Sequence, residues 1–431
     1  MSEQQNRVVF YFFDSASSIR AFGRLDLPKE RQALGLTTVC VTSDDVVGAD
    51  FVSDAFDHLF VLPAQPSPYD PCCIDVAAAV DCVTRVCGPD FDRDSVTVIS
   101  CGEYTPLAAA QVREKLGIPG ASVNEANGFR DKLAMKHAVA ATVTVPKNVP
   151  FDRDRFRREP EAYLDWLLGD LGHPFIIKPT NMASSSGVRK VHTSANAADV
   201  RAVLEANQGA FEAEEFISGE QYHCETLYHE GRRIASFVSR FNSSMLDMMS
   251  GRTVGSLPVP PADPVGRAVG ECAHLASVAL GVHSGVTHTE AMVRPDGGVV
   301  FIETANRAPG GDVVGRYVEA FGVDILEIDQ RIKSGVPYEL DPVERGRYSF
   351  WAYVPKPDGV IAELRLPELS SSIEVNWFVA VGEQTTRSTS FEEPAGLLIV
   401  TGNDYARVSA DFAAVLDFPF ITVRSDSQGH G

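Results

Sequence analysis

Between Gly285 and Gly311 the sequence reads GVTHTEAMVRPDGGVVFIETANRAPGG, two apolar-rich runs flanking Pro295-Asp296-Gly297-Gly298. Asp-Gly between β-type runs is among the strongest short-range signals for a hairpin, and a hairpin fixes register. With Asp296-Gly297 as the two turn residues, Pro295 faces Gly298, and counting outward sets Glu290 directly opposite Glu303. Like charges in opposed positions destabilise a sheet. The pair is therefore either a solvated surface feature or holds something positive, for which a divalent cation is the natural choice. Mg²⁺ prefers oxygen ligands, takes one or two protein carboxylates and completes its shell with water and substrate phosphates. The pair thus predicts a nucleotide phosphate nearby. Arg307 shares the strand parity of Glu303 and is expected to reach phosphate oxygens or a carboxylate on that face.

The rest of the chain bounds what can surround this hairpin. Its 431 residues leave room for two or three domains, and a hydrophobic content of 44% is that of an ordinary soluble globular protein. The polar start, Met1 to Arg7, leads directly into a strand, and no stretch reaches the roughly 18 apolar residues that span a bilayer, so a cytoplasmic protein is expected. A formal charge of −20 disfavours nucleic acid and anionic membranes as partners, so any anionic ligand must find a local cationic pocket. The eight cysteines are scattered, without a CxxC pair or zinc-like spacing, and Cys72-Cys73 are adjacent; reduced structural thiols are expected.

In chain order, buried-strand patterns fall at Arg7 to Phe13, Leu36 to Thr42, His58 to Leu62 and Ser95 to Ser100. A helix start near Asp14 to Ser18 and helical stretches at Asp75 to Val86 and Pro106 to Leu116 alternate with them. Such alternation predicts a parallel sheet with helices on its faces, here without the GxGxxG of a dinucleotide site. Lys132 falls in the first turn of a helix beginning near Asp131, where it either serves an anion or forms a solvated cap pair. Ala134-Met135-Lys136 echoes a biotin-attachment sequence but continues a helix, which excludes that reading.

A strand is expected at Val143 to Val145, a helix from Asp152 to Asp170, and a strand over His173 to Pro179 that ends in a lysine, Lys178. The small-residue loop Thr180 to Gly187 either wraps phosphate oxygens or is an ordinary surface hairpin. Phe211 to Ile217 reads as a strand, Gln221 to Tyr228 and Arg233 to Ser239 as a meander, and Phe241 to Ala262 as an irregular, functional-looking loop. Helices follow at Pro264 to Gly281 and Val314 to Ser334, and a tail of short strands with a helix at Asp404 to Leu416 closes the chain.

Together these pieces resemble the ATP-grasp superfamily, over essentially the whole chain. The resemblance implies an α/β fold, α+β in the clamp. It divides the chain into a Rossmann-like pre-ATP-grasp domain (1–121), a small lobe with the phosphate loop (122–210) and a large lobe with the metal site and a closing lobe (211–431). Lys132 in Phe-Arg-Asp-Lys and Lys178 in Phe-Ile-Ile-Lys-Pro match the two phosphate-binding lysines, and Ala183 to Gly187, with Ser184, Ser185 and Ser186, match the phosphate loop. Glu214-Glu215-Phe216-Ile217 match the inter-lobe strand that binds adenine through the backbone of Glu215 and Ile217. Gln221, with Glu220, matches the ribose site; Glu290 and Glu303 match the metal acids. Asn stands at 306 where the family places it at the equivalent of Ala305, so Asn306 joins the metal set only if the strand bulges. Arg307, Gly310 and Gly311 resemble the substrate-facing turn of the amino-acid ligase and carnosine-synthase branch.

The resemblance implies a carboxylate–amine ligase. ATP and two Mg²⁺, with Mn²⁺ as a substitute, would activate the carboxyl group of an amino acid as an acyl-phosphate, which an amine then takes to an amide. Lys178 and Arg307 would be the catalytic cations, the Phe241 to Pro261 segment would line the acceptor side, His283 and His288 either join it or are satisfied structural histidines, and a homodimer would be unsurprising. The alternatives are a ligase acting on bicarbonate or a non-amino-acid carboxylate, and a non-catalytic ATP-binding regulator.

Overall fold

A computed structural model describes residues 7–23, 34–47, 55–64, 74–388, 391 and 393–424. The strands are β1 (Arg7–Phe12), β2 (Leu36–Ser43), β3 (His58–Leu62), β4 (Val96–Ser100), β5 (Asn148–Pro150), β6 (Phe175–Pro179), β7 (Arg189–Val191), β8 (Phe211–Glu215), β9 (Glu220–His229) and β10 (Arg232–Phe241). They continue with β11 (Val254–Pro258), β12 (Gly285–Val293), β13 (Val299–Ala305), β14 (Tyr348–Pro355), β15 (Gly359–Leu364), β16 (Ser372–Trp377), β17 (Gln384–Thr385), β18 (Pro394–Gly402) and β19 (Ile421–Val423).

The first four strands form a parallel sheet in the order β3-β2-β1-β4. Period-two alternation splits the apolar run of β1 between two cores. Phe10 and Phe12 pack under the helices Val76–Cys87 and Pro106–Leu116, while Val9, Tyr11 and Phe13 face Ile19 and Phe22 on the other side. Because β2 and β4 lie on opposite sides of β1, the carboxyl ends of β1 and β4 form a topological switch point, where open α/β sheets place their ligands. The sheet is tied to the remainder of the chain by Arg7, whose guanidinium donates to the carbonyls of Ser334 at 2.7 Å and Gly335 at 3.2 Å, and by Tyr11 Oη, 2.8 Å from Ser334 Oγ.

A second sheet, β5-β8-β6-β7, is two-faced. Phe175, Ile177, Phe211 and Ala213 bury against the helices Pro160–Leu171 and Ala197–Ala206, and the opposite face carries Lys178, Glu212 and Glu214. The largest sheet is antiparallel, in the order β13-β12-β9-β10-β11-β14-β18-β16, and β17-β15-β19 form a small separate sheet. Among the described residues no helix is long and apolar enough to cross a membrane.

Several expectations need correction. Val143 to Val145 is not a strand; its neighbour Pro146 removes a ladder donor, and a single bond from Phe301 N–H to the Thr144 carbonyl is what remains. The helix expected from Asp152 to Asp170 is two, Arg153–Arg158 and Pro160–Leu171, divided because Pro160 begins a helix well but cannot continue one. The Val314 to Ser334 helix is likewise two, Val313–Phe321 and Ile325–Ser334; Gly322 ends the first at φ +74° and Asp324 caps the second. The irregular Phe241 to Ala262 segment contains β11, fully buried within the large sheet. Its Gly255 lies against β14 so closely that a Cβ would sit 2.2 Å from the Trp351 carbonyl oxygen. In the tail, β14, β18 and β16 extend the large sheet. The six cysteines described are free, and Cys72-Cys73 lie outside the described residues.

Candidate active site

The β12–β13 hairpin sets Glu290 opposite Glu303, as counted, but by a different route. Val293 pairs with Val299, and Arg294 N–H donates to the Gly298 carbonyl at 2.9 Å, so the turn holds three residues and the register is offset by one. The offset persists to Ala291↔Phe301, and then Ile302 bulges out and restores the Glu290↔Glu303 pairing. Beyond Ala305 the strand has ended, so period-two parity no longer governs Asn306 and Arg307.

The helix Lys132–Val139 reaches this hairpin from the small lobe. Asp131 caps it by accepting from Ala134 N–H at 2.8 Å, and Met135 and Val139 pack with Phe301. Lys132 Nζ lies 3.2 Å from Glu303 Oε2 and donates to the Met182 carbonyl at 2.7 Å, joining the acid to the Ser-rich loop. Lys178 Nζ lies 2.7 Å from Glu214 Oε1 and 3.6 Å from Glu212 Oε1. Lys136 Nζ completes this group, 2.6 Å from Glu214 Oε2 and paired with Glu212. Burial would depress the Lys178 ammonium, but Glu214 and Glu212 outweigh it and raise its pKa. Burial would raise Glu214, and Lys136 and Lys178 bring it down to about 2 instead.

Glu290 is held at both oxygens. Gln221 Nε2 donates to Oε2 at 2.9 Å, and His288 Nε2 lies 3.7 Å from Oε1. Burial alone would lower the His288 imidazole, yet hydrogen bonding to Glu225 and Glu290 raises it to about 9. Glu225 is buried on the same face with His223, Ser256 and Tyr317. Burial favours its neutral form, but His223 and His288 pull its pKa down to about 2.

At the switch point of the parallel sheet, Glu103 pairs with both Arg307 and Arg130. Burial raises the Glu103 carboxyl, and the two guanidinium groups reverse this to about 2. Asp14 lies beside it and accepts from Tyr104 N–H at 2.6 Å; burial raises its pKa. Gly102 permits the approach, since a Cβ there would sit 1.9 Å from Asp14 Oδ1.

Residues 171–315 match the protein-family model described as the ATP-grasp domain. The chain carries an ATP-grasp domain. Along 272 residues it is 28% identical to the alanine–anticapsin ligase of Bacillus subtilis, covering 58% of this chain and 55% of that protein. Along 309 residues it is 24% identical to the L-arginine-specific L-amino acid ligase of Bacillus subtilis, covering 68% and 73%. The chain thus spans only about half the length of the first of these relatives. An L-amino acid ligase from Bacillus licheniformis shares the ATP-grasp fold with a TM-score of 0.67 at 18% identity, over 98% of this chain and 100% of that one.

The fold brings Lys132, Lys178, Glu214, Glu290, Glu303 and Arg307 within electrostatic reach of their neighbours in this set. The loop bearing Ser184, Ser185, Ser186 and Gly187 is bent by left-handed backbone at Ser184 (φ 55°), Ser185 (φ 57°) and Gly187 (φ 74°). Such conformations are costly for side chains with a Cβ and cluster at ligand-binding turns. Glu215 N–H donates to the Lys147 carbonyl at 2.8 Å, so a backbone contact from Glu215 to a base is left to its carbonyl; Ile217 is buried beside it. The Gln221 side chain donates to Glu290 and, through Oε1, accepts from Met245 N–H at 3.2 Å; Glu220 is exposed. His283 is exposed at the far end of β12, whereas His288 joins the site. Gly310 is exposed, and Gly311 packs so that a Cβ would lie 2.8 Å from the Trp351 ring.

Asn306 Oδ1 is buried without a hydrogen-bond partner among the described residues. Glu290, Glu303 and Asn306 would offer the oxygen donors that Mg²⁺ prefers. Sequence reasoning missed Asp14, Glu103, Arg130, Lys136, Glu212 and Glu225. For Glu103 a signal existed: it follows a strand of the parallel sheet at its carboxyl end.

Proposed function

We propose that this chain is an ATP-dependent carboxylate–amine ligase that joins amino acids through an acyl-phosphate, releasing ADP and phosphate. The observation that carries the reading is the convergence of Lys132 and Lys178 on the opposed acids Glu290 and Glu303, with Arg307 drawn to the switch point by Glu103. The similarity to amino-acid ligases supports it. Glu290, Glu303 and Asn306 would hold Mg²⁺, with Mn²⁺ as a substitute, and the bound metal would neutralise phosphate charge.

Phosphoryl transfer depends chiefly on positioning and charge neutralisation. Lys132 and Lys178 hold the phosphates while a substrate carboxylate oxygen attacks the γ-phosphorus and the bond to the β-phosphate oxygen breaks, releasing ADP. Arg307 stabilises the charge on the transferring group. The loop Ala183 to Gly187 covers the acyl-phosphate against water, its backbone already turned for a tight anion contact. An amine nitrogen then attacks the acyl carbon, the bond from that carbon to the phosphate oxygen breaks and the nitrogen loses a proton, so that amide and inorganic phosphate are released and the phosphate carries away one oxygen of the original carboxylate. Adenine is received by the Glu215 carbonyl and Ile217, with Glu214 beside them, and the ribose by Glu220. Glu103 and Asp14 beside Arg307 and Arg130 pair carboxylates with guanidinium groups, a combination suited to the ammonium and carboxylate of a zwitterion. Gly310 and Gly311 leave room at the substrate side.

The test is phosphate release from Mg-ATP with single and paired amino acids, coupled to mass spectrometry. Release with particular pairs, and a product lighter than the pair by one water, is expected. ATP bound but not consumed across amino acids, bicarbonate and other carboxylates would instead indicate a regulator.

A further inference from the structure

Four charged side chains meet at one face of the β5-β8-β6-β7 sheet, three from its strands and Lys136 from the helix Lys132–Val139, and the reaction as proposed uses only Lys178 and Glu214 among them. Glu212 and Glu214 are two residues apart on β8, so they project from one face, and Lys178 on β6 stands directly opposite Glu212. Glu212 is 0% exposed, Glu214 4%, Lys178 5% and Lys136 1%. Without Lys136, one ammonium would face two buried carboxylates. Such an ammonium is bound on both sides and carries no surplus charge for a third anion. Glu212 makes this acute, because its Oε2 is buried without a hydrogen-bond partner among the described residues and its neutralisation rests on the lysines.

Lys136 supplies the second positive charge, paired with Glu212 and 2.6 Å from Glu214 Oε2. It sits one helical turn beyond Lys132, on the same face of Lys132–Val139. One helix therefore aims Lys132 at Glu303 and anchors itself to β8 through Lys136.

We propose that Lys136 is a positioning residue for nucleotide binding: by neutralising Glu212 and Glu214 it releases Lys178 to meet phosphate. This rests on the ATP reading above. It assigns a role to Lys136 and Glu212 that needs no contact between either side chain and the nucleotide.

The experiment is equilibrium Mg-ATP binding by calorimetry, together with steady-state kinetics, for the wild type, K136M, K136R, E212Q and K136M/E212Q. K136M is expected to bind ATP at least about tenfold more weakly and to raise the KM for ATP more than it lowers kcat. K136M/E212Q, with the excess carboxylate removed, should return to within about threefold of the wild type, and K136R should stay closer to the wild type than K136M. If K136M does not fold, E212Q alone decides, since relieving Lys178 of one carboxylate must leave ATP binding as tight or tighter. Weaker binding by E212Q, unchanged affinity in K136M, or a double variant as weak as K136M would reduce Lys136 to a structural ion pair. A wild-type chain that binds no ATP would overturn the ATP reading and this inference together, whereas a binding wild type with an indifferent K136M overturns only the inference.

Discussion

Two ionic clusters meet at the helix Lys132–Val139, and they are balanced differently. In the small lobe, two lysines meet two glutamates within 3.6 Å, and charge is compensated inside the protein. At the β12–β13 hairpin, two opposed carboxylates are met by one lysine, one amide and one imidazole, while Asn306 Oδ1 has no partner among the described residues and Arg307 is turned to Glu103. The first cluster balances its own charge and can hold a lysine ready. The second sets two carboxylates directly opposite each other on one hairpin, oxygen donors of the kind expected of a metal and phosphate site.

The sharpest way to break this comparison is Glu303→Gln. Loss of a hairpin acid should lower turnover by at least about a hundredfold while the melting temperature holds, because the side chain is partly exposed and its loss relieves like-charge repulsion. Near-normal turnover, measured by phosphate release, would remove the hairpin from the chemistry.

Glu103→Gln comes next and works in the opposite sense, on a carboxylate that is compensated. It leaves Arg307 and Arg130 without their shared partner and should cost on the order of 3 kcal/mol in denaturant unfolding. It should also raise the KM for an amino-acid substrate more than that for ATP. Equal effects on both would detach Glu103 from the substrate side.

Acid should discriminate the same way. Glu103 and Glu214 are held at about 2 against an ordinary 4.5. Their stabilising contribution is complete above 4.5 and disappears as pH falls through about 2, because the unfolded chain then takes up protons that the folded chain resists. Denaturant midpoints should fall through that window, and Glu103→Gln should flatten part of the slope. The smallest effect is expected from Ser185→Gly in the phosphate loop. Relief of its φ of 57° should gain up to roughly 1 kcal/mol of stability in thermal unfolding with activity largely kept.

The parallel sheet was legible because buried strands and covering helices carry their own periodicities, as in β1, whose successive residues serve two cores. The Glu290–Glu303 pairing was legible by cancellation: a longer turn displaced the register and the bulge at Ile302 returned it, neither of which a count of residues reveals. β11 escaped notice because Gly255, Ser256 and Pro258 interrupt an apolar pattern that burial between neighbouring strands makes unnecessary. Glu103 and Lys136 escaped for a different reason. Their roles depend on partners 204 and 76 residues away, which only the folded chain brings within reach.

The most direct test of the central claim uses an amino-acid substrate whose carboxylate is fully labelled with ¹⁸O. Attack of that carboxylate on ATP predicts that each released phosphate carries one ¹⁸O and the amide product retains the other, both read by mass spectrometry. Unlabelled phosphate alongside amide product would contradict carboxyl activation through an acyl-phosphate.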